Sequence, residues 1–132
     1  MGANKQVAND LKENINNISQ QIIDDQYKNQ NKFQRIYQTV GHQNTFDDVK
    51  NHIHYLAEAL SASQPVIFSN YVTHATTILD NIALPPEIFK QTLTSTQKIL
   101  KKELDPALFN LVSSYIETGQ QAVGKNKYSL SS

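Results

Sequence analysis

Apolar positions recur at helical spacing almost from the start of the chain. Val7, Leu11, Ile15, Ile18 and Ile22 follow one another at intervals of four, four, three and four, which lays a single stripe along one face of a helix. The stripe resumes in the same phase at Phe33, Ile36 and Val40, beyond a stretch whose matching face carries Asp25, Gln26 and Asn29. Unbroken over residues 4–40, this first helix would be on the order of 50 Å long. The pattern therefore predicts either a break near residues 25–30 or an N-terminal half that projects and packs on a partner. Gly41 closes the segment, because glycine tolerates the left-handed conformation of a helix end. Thr45, with Asp48 three residues on, reads as a variant capping box. It opens a second helix that reaches about residue 62 with Val49, Ile53, Leu56 and Leu60 inward.

Ser63 reads as the cap of a third helix, with Pro65 in its first turn, where a missing amide costs little. This helix reaches about residue 82 with Phe68, Val72, Ala75 and Leu79 inward. Pro85 and Pro86 cannot continue a helix but can start one. The fourth helix spans about 86–104 and turns in Phe89, Leu93, Ile99 and Leu100. Asp105 and Pro106 repeat the cap-and-proline start, and a fifth helix carries Leu108, Val112, Tyr115 and Ile116 to about Gly124. No segment alternates like a strand bounded by hairpin turns. Short connections make neighbouring helices antiparallel. The expected fold is an all-α antiparallel bundle of about five helices with a long N-terminal helix, one domain over residues 3–124, with a polar, fraying tail over 125–132.

Composition narrows the function. A chain of 132 residues is long enough to hide about two-thirds of its unfolded surface. Its 12 basic and 12 acidic residues cancel, which argues against a nucleic-acid footprint or an anchor for anionic membranes. No apolar run approaches the ~20 residues of a membrane span, and the N-terminus lacks the apolar core of a signal peptide. A cytoplasmic domain is expected. Without cysteine, disulfides, thiol catalysis and thiolate metal sites are excluded. Asparagine and glutamine number 13 each, many of them before Thr45. They form either a polar helix face or a trace of genomic compositional drift.

The candidate chemistry gathers on the second and third helices. His52 and His54 form an H-x-H pair, but residues two apart on a helix point about 200° apart and cannot chelate one ion. No metal site is expected, and His42 falls in a loop. Beside the main apolar stripe of the second helix, Asp48, His52, Tyr55 and Ala59 form a stripe of their own. Ile67, Tyr71, His74 and Ile78 do the same on the third. Across an antiparallel hairpin turning near Ala62, His52 and His74 fall at similar heights. If both face one side, two imidazoles and two phenols line one cleft suited to a planar or polar small molecule. The plainer reading makes them boundary residues with a buried ring and a wet polar atom. Ile67 and Ile78 also widen the apolar arc of the third helix, which then lies at the centre of the bundle or under a partner. Catalysis has little support. No nucleophile elbow or phosphate-binding glycine loop occurs, and the adjacent carboxylates Asp24-Asp25 and Asp47-Asp48 do not face one another. They read as helix-end charges, as does Lys101-Lys102.

The run Asp48-x-x-x-His52-x-x-Tyr55-Leu56-Ala57-Glu58-Ala59-Leu60 is followed by Pro65-x-x-Phe68-x-x-Tyr71-Val72, by Pro86-Glu87 and by a last helix with Tyr115-Ile116. Over about residues 46–121 this resembles a small helical module of bacterial regulatory proteins, often found ahead of a cobalamin-binding domain. Asp48, His52 and Tyr55 match its aspartate, histidine and tyrosine. His74 stands near a position where tryptophan is more usual, and the cobalamin-binding D-x-H-x-x-G is absent from the chain. A looser likeness is to the dimeric N-terminal helical domains of RsbU-type phosphatase regulators, which bind other proteins. The resemblance implies a sensory or regulatory role without a reaction.

Two readings follow. The first is a non-enzymatic sensory bundle holding a small ligand near Asp48, His52, Tyr55, Tyr71 and His74. A tetrapyrrole, bound without a covalent link, suits an apolar helical cleft with an axial histidine. The second is a dimerisation module that recruits a signalling partner through Val7, Leu11, Ile15, Ile18 and Ile22 and through Ile67 and Ile78.

Overall fold

The computed structural model describes residues 2–29, 41–81 and 86–123, and these form an all-α bundle. Among the described residues six helices run in order: α1 (Gly2–Glu13), α2 (Ile15–Asn29), α3 (His42–Ala62), α4 (Pro65–Asn81), α5 (Pro86–Glu103) and α6 (Pro106–Ala122). The expected stripe at Phe33, Ile36 and Val40, the side chains of His42 and Leu79, and the tail beyond Val123 lie outside the described residues. No helix among the described residues is long and apolar enough to cross a membrane.

The N-terminal helix is interrupted at Asn14, between α1 and α2, while α2 runs on through Asn29, and the end of the break expected at residues 25–30 lies outside the described residues. The backbone ladder itself passes through this point, with Asn14 N–H donating to the Asp10 carbonyl (3.1 Å) and Ile18 N–H to that of Asn14 (2.9 Å). The Asn14 side chain also donates to the Asp10 carbonyl, at 3.0 Å. An amide side chain competing with its own backbone for one acceptor loosens a helix locally. The positional pattern of apolar residues carries no such signal.

α1 and α2 both pack along α3, which also contacts α4 and α6 and so sits at the centre of the bundle. Val7, Leu11, Ile18 and Ile22 are buried in that contact, and Ile15 packs partly against the same core. The stripe expected to project toward a partner is therefore part of this chain's own core. The physical reason is the match between these two helices and α3, which offers Val49, Ile53, Leu56 and Leu60 as their apolar complement.

The start of α3 also differs from expectation. Gly41 is its N-cap, with φ +87° and ψ 161°, a region essentially reserved for glycine. The helix thus begins at His42, and Thr45 lies inside its first turns, its hydroxyl donating to the Gly41 carbonyl at 2.9 Å. Asp47 and Asp48 are correspondingly past the first turn and do not cap it. At the other end Ser63 adopts the left-handed conformation, φ 54°. Its N–H and that of Gln64 close α3 onto Leu60 and Ala59, so it ends one helix rather than capping the next. The proline starts of α4, α5 and α6 fall where the sequence puts them, with Asp105 as the N-cap of α6.

Several polar pairs cross the α2–α5 contact. Gln26 is fully buried and its side-chain amide donates to the Thr92 hydroxyl at 2.9 Å. Asp25, read from sequence as a helix-end charge, accepts from Ser95 (2.8 Å) and Lys98 (2.7 Å) on α5. Burial works against its charge, but the hydrogen bonds from Lys98 and Ser95 and the lysine's charge outweigh it and hold the carboxyl below its ordinary range. The Gln26 carbonyl oxygen has no partner among the described residues, and a buried unsatisfied acceptor costs about 1–3 kcal/mol. Thr92 keeps its own bond to the Ile88 carbonyl (3.0 Å) without Gln26. Gln26→Leu is therefore expected to leave the thermal midpoint unchanged or raise it; a clear fall would show that the amide is worth more than its orphaned oxygen costs.

The α4–α6 contact is close-packed at Gly119. A Cβ on Gly119 of α6 would lie 2.5 Å from the Phe68 ring and 3.2 Å from Val72. Glycine here lets the ring seat against bare backbone.

Candidate functional site

Five rings from three helices meet where α3, α4 and α5 adjoin. α3 supplies His52 and Tyr55, α4 supplies Phe68 and Tyr71, and α5 supplies Phe89. The helical period explains the first pair. Positions 48, 52, 55 and 59 fall on one flank of α3, beside its core stripe, so His52 turns inward and is only 8% exposed. His54, two residues on, is exposed on the other side.

Tyr71 organises the cluster. Its ring stacks on Tyr55, with centroids 4.4 Å apart and planes 14° from parallel. Its oxygen is hydrogen-bonded to Nδ1 of His52. Phe89 covers the imidazole, centroid to centroid 4.5 Å. Burial pushes the His52 pKa down from 6.5 to about 3, so at neutral pH the ring is uncharged. Burial first, then the negative charge of Asp48 and the neighbouring Tyr55, push the Tyr71 phenol above its ordinary value. The phenol therefore keeps its proton, and the tautomer of the neutral imidazole sets which of the two groups donates.

Tyr55 is the open edge of the cluster, 40% exposed. Asp48 stands on the same flank of α3, and its charge is felt at Tyr71. Loss of water around the carboxyl, with the adjacent charge of Asp47 as a second cause, raises its pKa. Asp48 makes no hydrogen bond or ion pair with the described residues.

Of the five ligand-site residues expected from the sequence, the structure brings His52, Tyr55 and Tyr71 into contact and leaves Asp48 beside them. His74 does not join them. Three residues beyond Tyr71, it is rotated about 60° around α4 and is exposed. Equal height on two helices did not imply a shared side, and His52 meets Tyr71 instead. Ile67 packs partly on the core, while Ile78 remains 49% exposed. Phe68 and Phe89 are the members that the sequence reading placed on inward faces and not in the site; of these, Phe89 is the one that reaches His52. Its place over His52 depends on how α5 rotates against α3, which periodicity within α5 does not encode. Among the described residues no three histidine, cysteine or carboxylate side chains converge as metal ligands.

Comparison with known proteins returned no match: no family model fits the chain, and no curated protein or solved structure resembles it significantly.

Proposed function

We propose that this chain is a non-enzymatic sensory or regulatory bundle whose small-ligand site is the face formed by Asp48, Tyr55 and Tyr71. The observation that carries this reading is the linkage of an exposed ring to a buried one. Tyr55 is open to solvent and stacks on Tyr71, Tyr71 is bonded to His52, and His52 lies against Phe89 of α5. A ligand that displaces Tyr71 breaks the bond to His52 and disturbs the α3–α5 contact, turning occupancy into a change in helix packing. Axial ligation of a tetrapyrrole's metal by His52 would use the other ring nitrogen, Nε2, with Nδ1 still bonded to Tyr71, and it requires the buried imidazole to be uncovered from Phe89.

The test is native mass spectrometry of the protein purified from its own cells. The expected result is a mass above that of the polypeptide, lost in a Tyr55→Ala, Tyr71→Ala double variant that keeps its helical circular dichroism. A bare polypeptide mass that also stays bare with cell extract added back would overturn the reading.

A second reading, a dimerisation or protein-recruitment module, is favoured by Val66 and Ile78, which leave half of their surfaces on α4 exposed. On that reading Ile78→Asp lowers the oligomeric mass in sedimentation, and an unchanged mass refutes it.

A further inference from the structure

We infer that the ligand taken by the Asp48–Tyr55–Tyr71 face is a small organic ammonium ion, an inference that rests on the ligand-binding reading above. Three observations converge. Tyr55 and Tyr71 present stacked rings with Tyr55 partly open, and the face of a tyrosine ring attracts a cation within about 6 Å of its centroid. Asp48 lies on the same flank of α3 and acts electrostatically on Tyr71, yet its own carboxylate has no cationic partner among the described residues.

Of the basic groups described nearby, His54 meets the Tyr55 ring edge-on, centroids 5.5 Å apart, and the others are engaged elsewhere or uncharged. Lys50 points its ammonium over the Phe46 ring, 5.6 Å from the centroid, and Lys12 is paired with Glu58 at 3.0 Å. His52 is neutral and turned into the core. A carboxylate with no counter-ion among the described residues, on the same helix flank as an electron-rich ring pair, favours a cation over an anion or a neutral molecule. It favours an alkylated ammonium over a metal ion, because rings bind a weakly hydrated cation and offer a hard metal ion no oxygen ligands. Asp48 and Tyr55 are seven residues apart on the helix, about 10 Å along its axis. The ligand must therefore reach from carboxylate to ring, with apolar groups carried on the charged nitrogen.

The test is titration of the full chain with choline and with its uncharged isostere 3,3-dimethyl-1-butanol, followed by two-dimensional NMR of the tyrosine rings. Choline is expected to saturate with shifts at Tyr55 and Tyr71 and to bind at least about tenfold more tightly than the isostere. Asp48→Asn, a change at an exposed residue without hydrogen bonds to the described residues, is expected to erase that preference while leaving the fold intact. Equal binding of the two probes, or a preference that survives Asp48→Asn, overturns the ammonium assignment and leaves a neutral-ligand site. Absence of saturable choline binding also overturns it, while the ligand-binding reading stands or falls separately on the native mass measurement.

Discussion

Lowering the pH from 6.5 to 4 is expected to destabilise this protein by about 3 kcal/mol through His52 alone. In the folded chain burial holds the imidazole pKa at about 3, against 6.5 when exposed. Between those values the unfolded chain binds a proton that the folded chain does not, so stability falls as the pH falls. The contribution is fully present above pH 6.5 and is lost progressively toward pH 3. Asp25, whose pKa is lowered in the fold, adds to the loss at the acid end, as the proton it takes up weakens its bonds to Lys98 and Ser95. Asp48, whose pKa is raised, acts in the opposite sense, since its partly dehydrated carboxyl is easier to keep neutral. Urea denaturation at half-unit steps of pH measures the sum. His52→Gln keeps an acceptor for Tyr71 without titrating, and it is expected to flatten the slope between pH 6.5 and 4 even if it lowers stability at pH 7. A slope unchanged in that variant would mean that the buried imidazole is not the group responsible.

Truncating Phe68 to alanine is expected to cost about 3–5 kcal/mol, a large fraction of the ~5–15 kcal/mol that stabilises an ordinary domain. The ring is 1% exposed and joins α4 to α6 and to the aromatic cluster through Tyr71. Gly119 is its counterpart. On helix propensity alone Gly119→Ala would stabilise α6 by about 1 kcal/mol. The added methyl would stand 2.5 Å from the Phe68 ring, and overpacking of a close-packed contact costs about 1–3 kcal/mol. The net expectation is destabilisation. In a Phe68→Leu background the obstructing ring is gone, so the same Gly119→Ala change should be neutral or stabilising. A double-mutant cycle on chemical denaturation reads this coupling. Additive effects of the two changes would show that the ring does not rest on the Gly119 backbone.

Much of this fold is written along the chain. The stripes of Val49, Ile53, Leu56 and Leu60, of Phe68 and Val72, and of Leu93, Ile99 and Leu100 are buried where helical spacing puts them. Pro65, Pro86 and Pro106 open helices because a fixed φ and a missing amide suit only a first turn. Local competition was less legible. Thr45 and Ser63 have the chemistry of N-caps, yet Gly41 starts α3 earlier and Ser63 ends it, because capping type alone does not decide which of two adjoining helices a residue serves.

By itself the sequence determined the helical class, the inward faces of its later helices and the flank of α3 that carries Asp48, His52 and Tyr55, since each follows from a 3.6-residue period within one segment. Only the tertiary structure decided which flanks meet. Rotation of α4 about its axis brought Tyr71 rather than His74 to His52, and the approach of α5 laid Phe89 over the imidazole. The fit of α1 and α2 against α3 likewise turned a stripe that looked free for a partner into core. A helix's period fixes angles about its own axis. The rotation and height of one helix against another come from how side chains of all the helices fill the space between them, and no single segment of the chain holds that information.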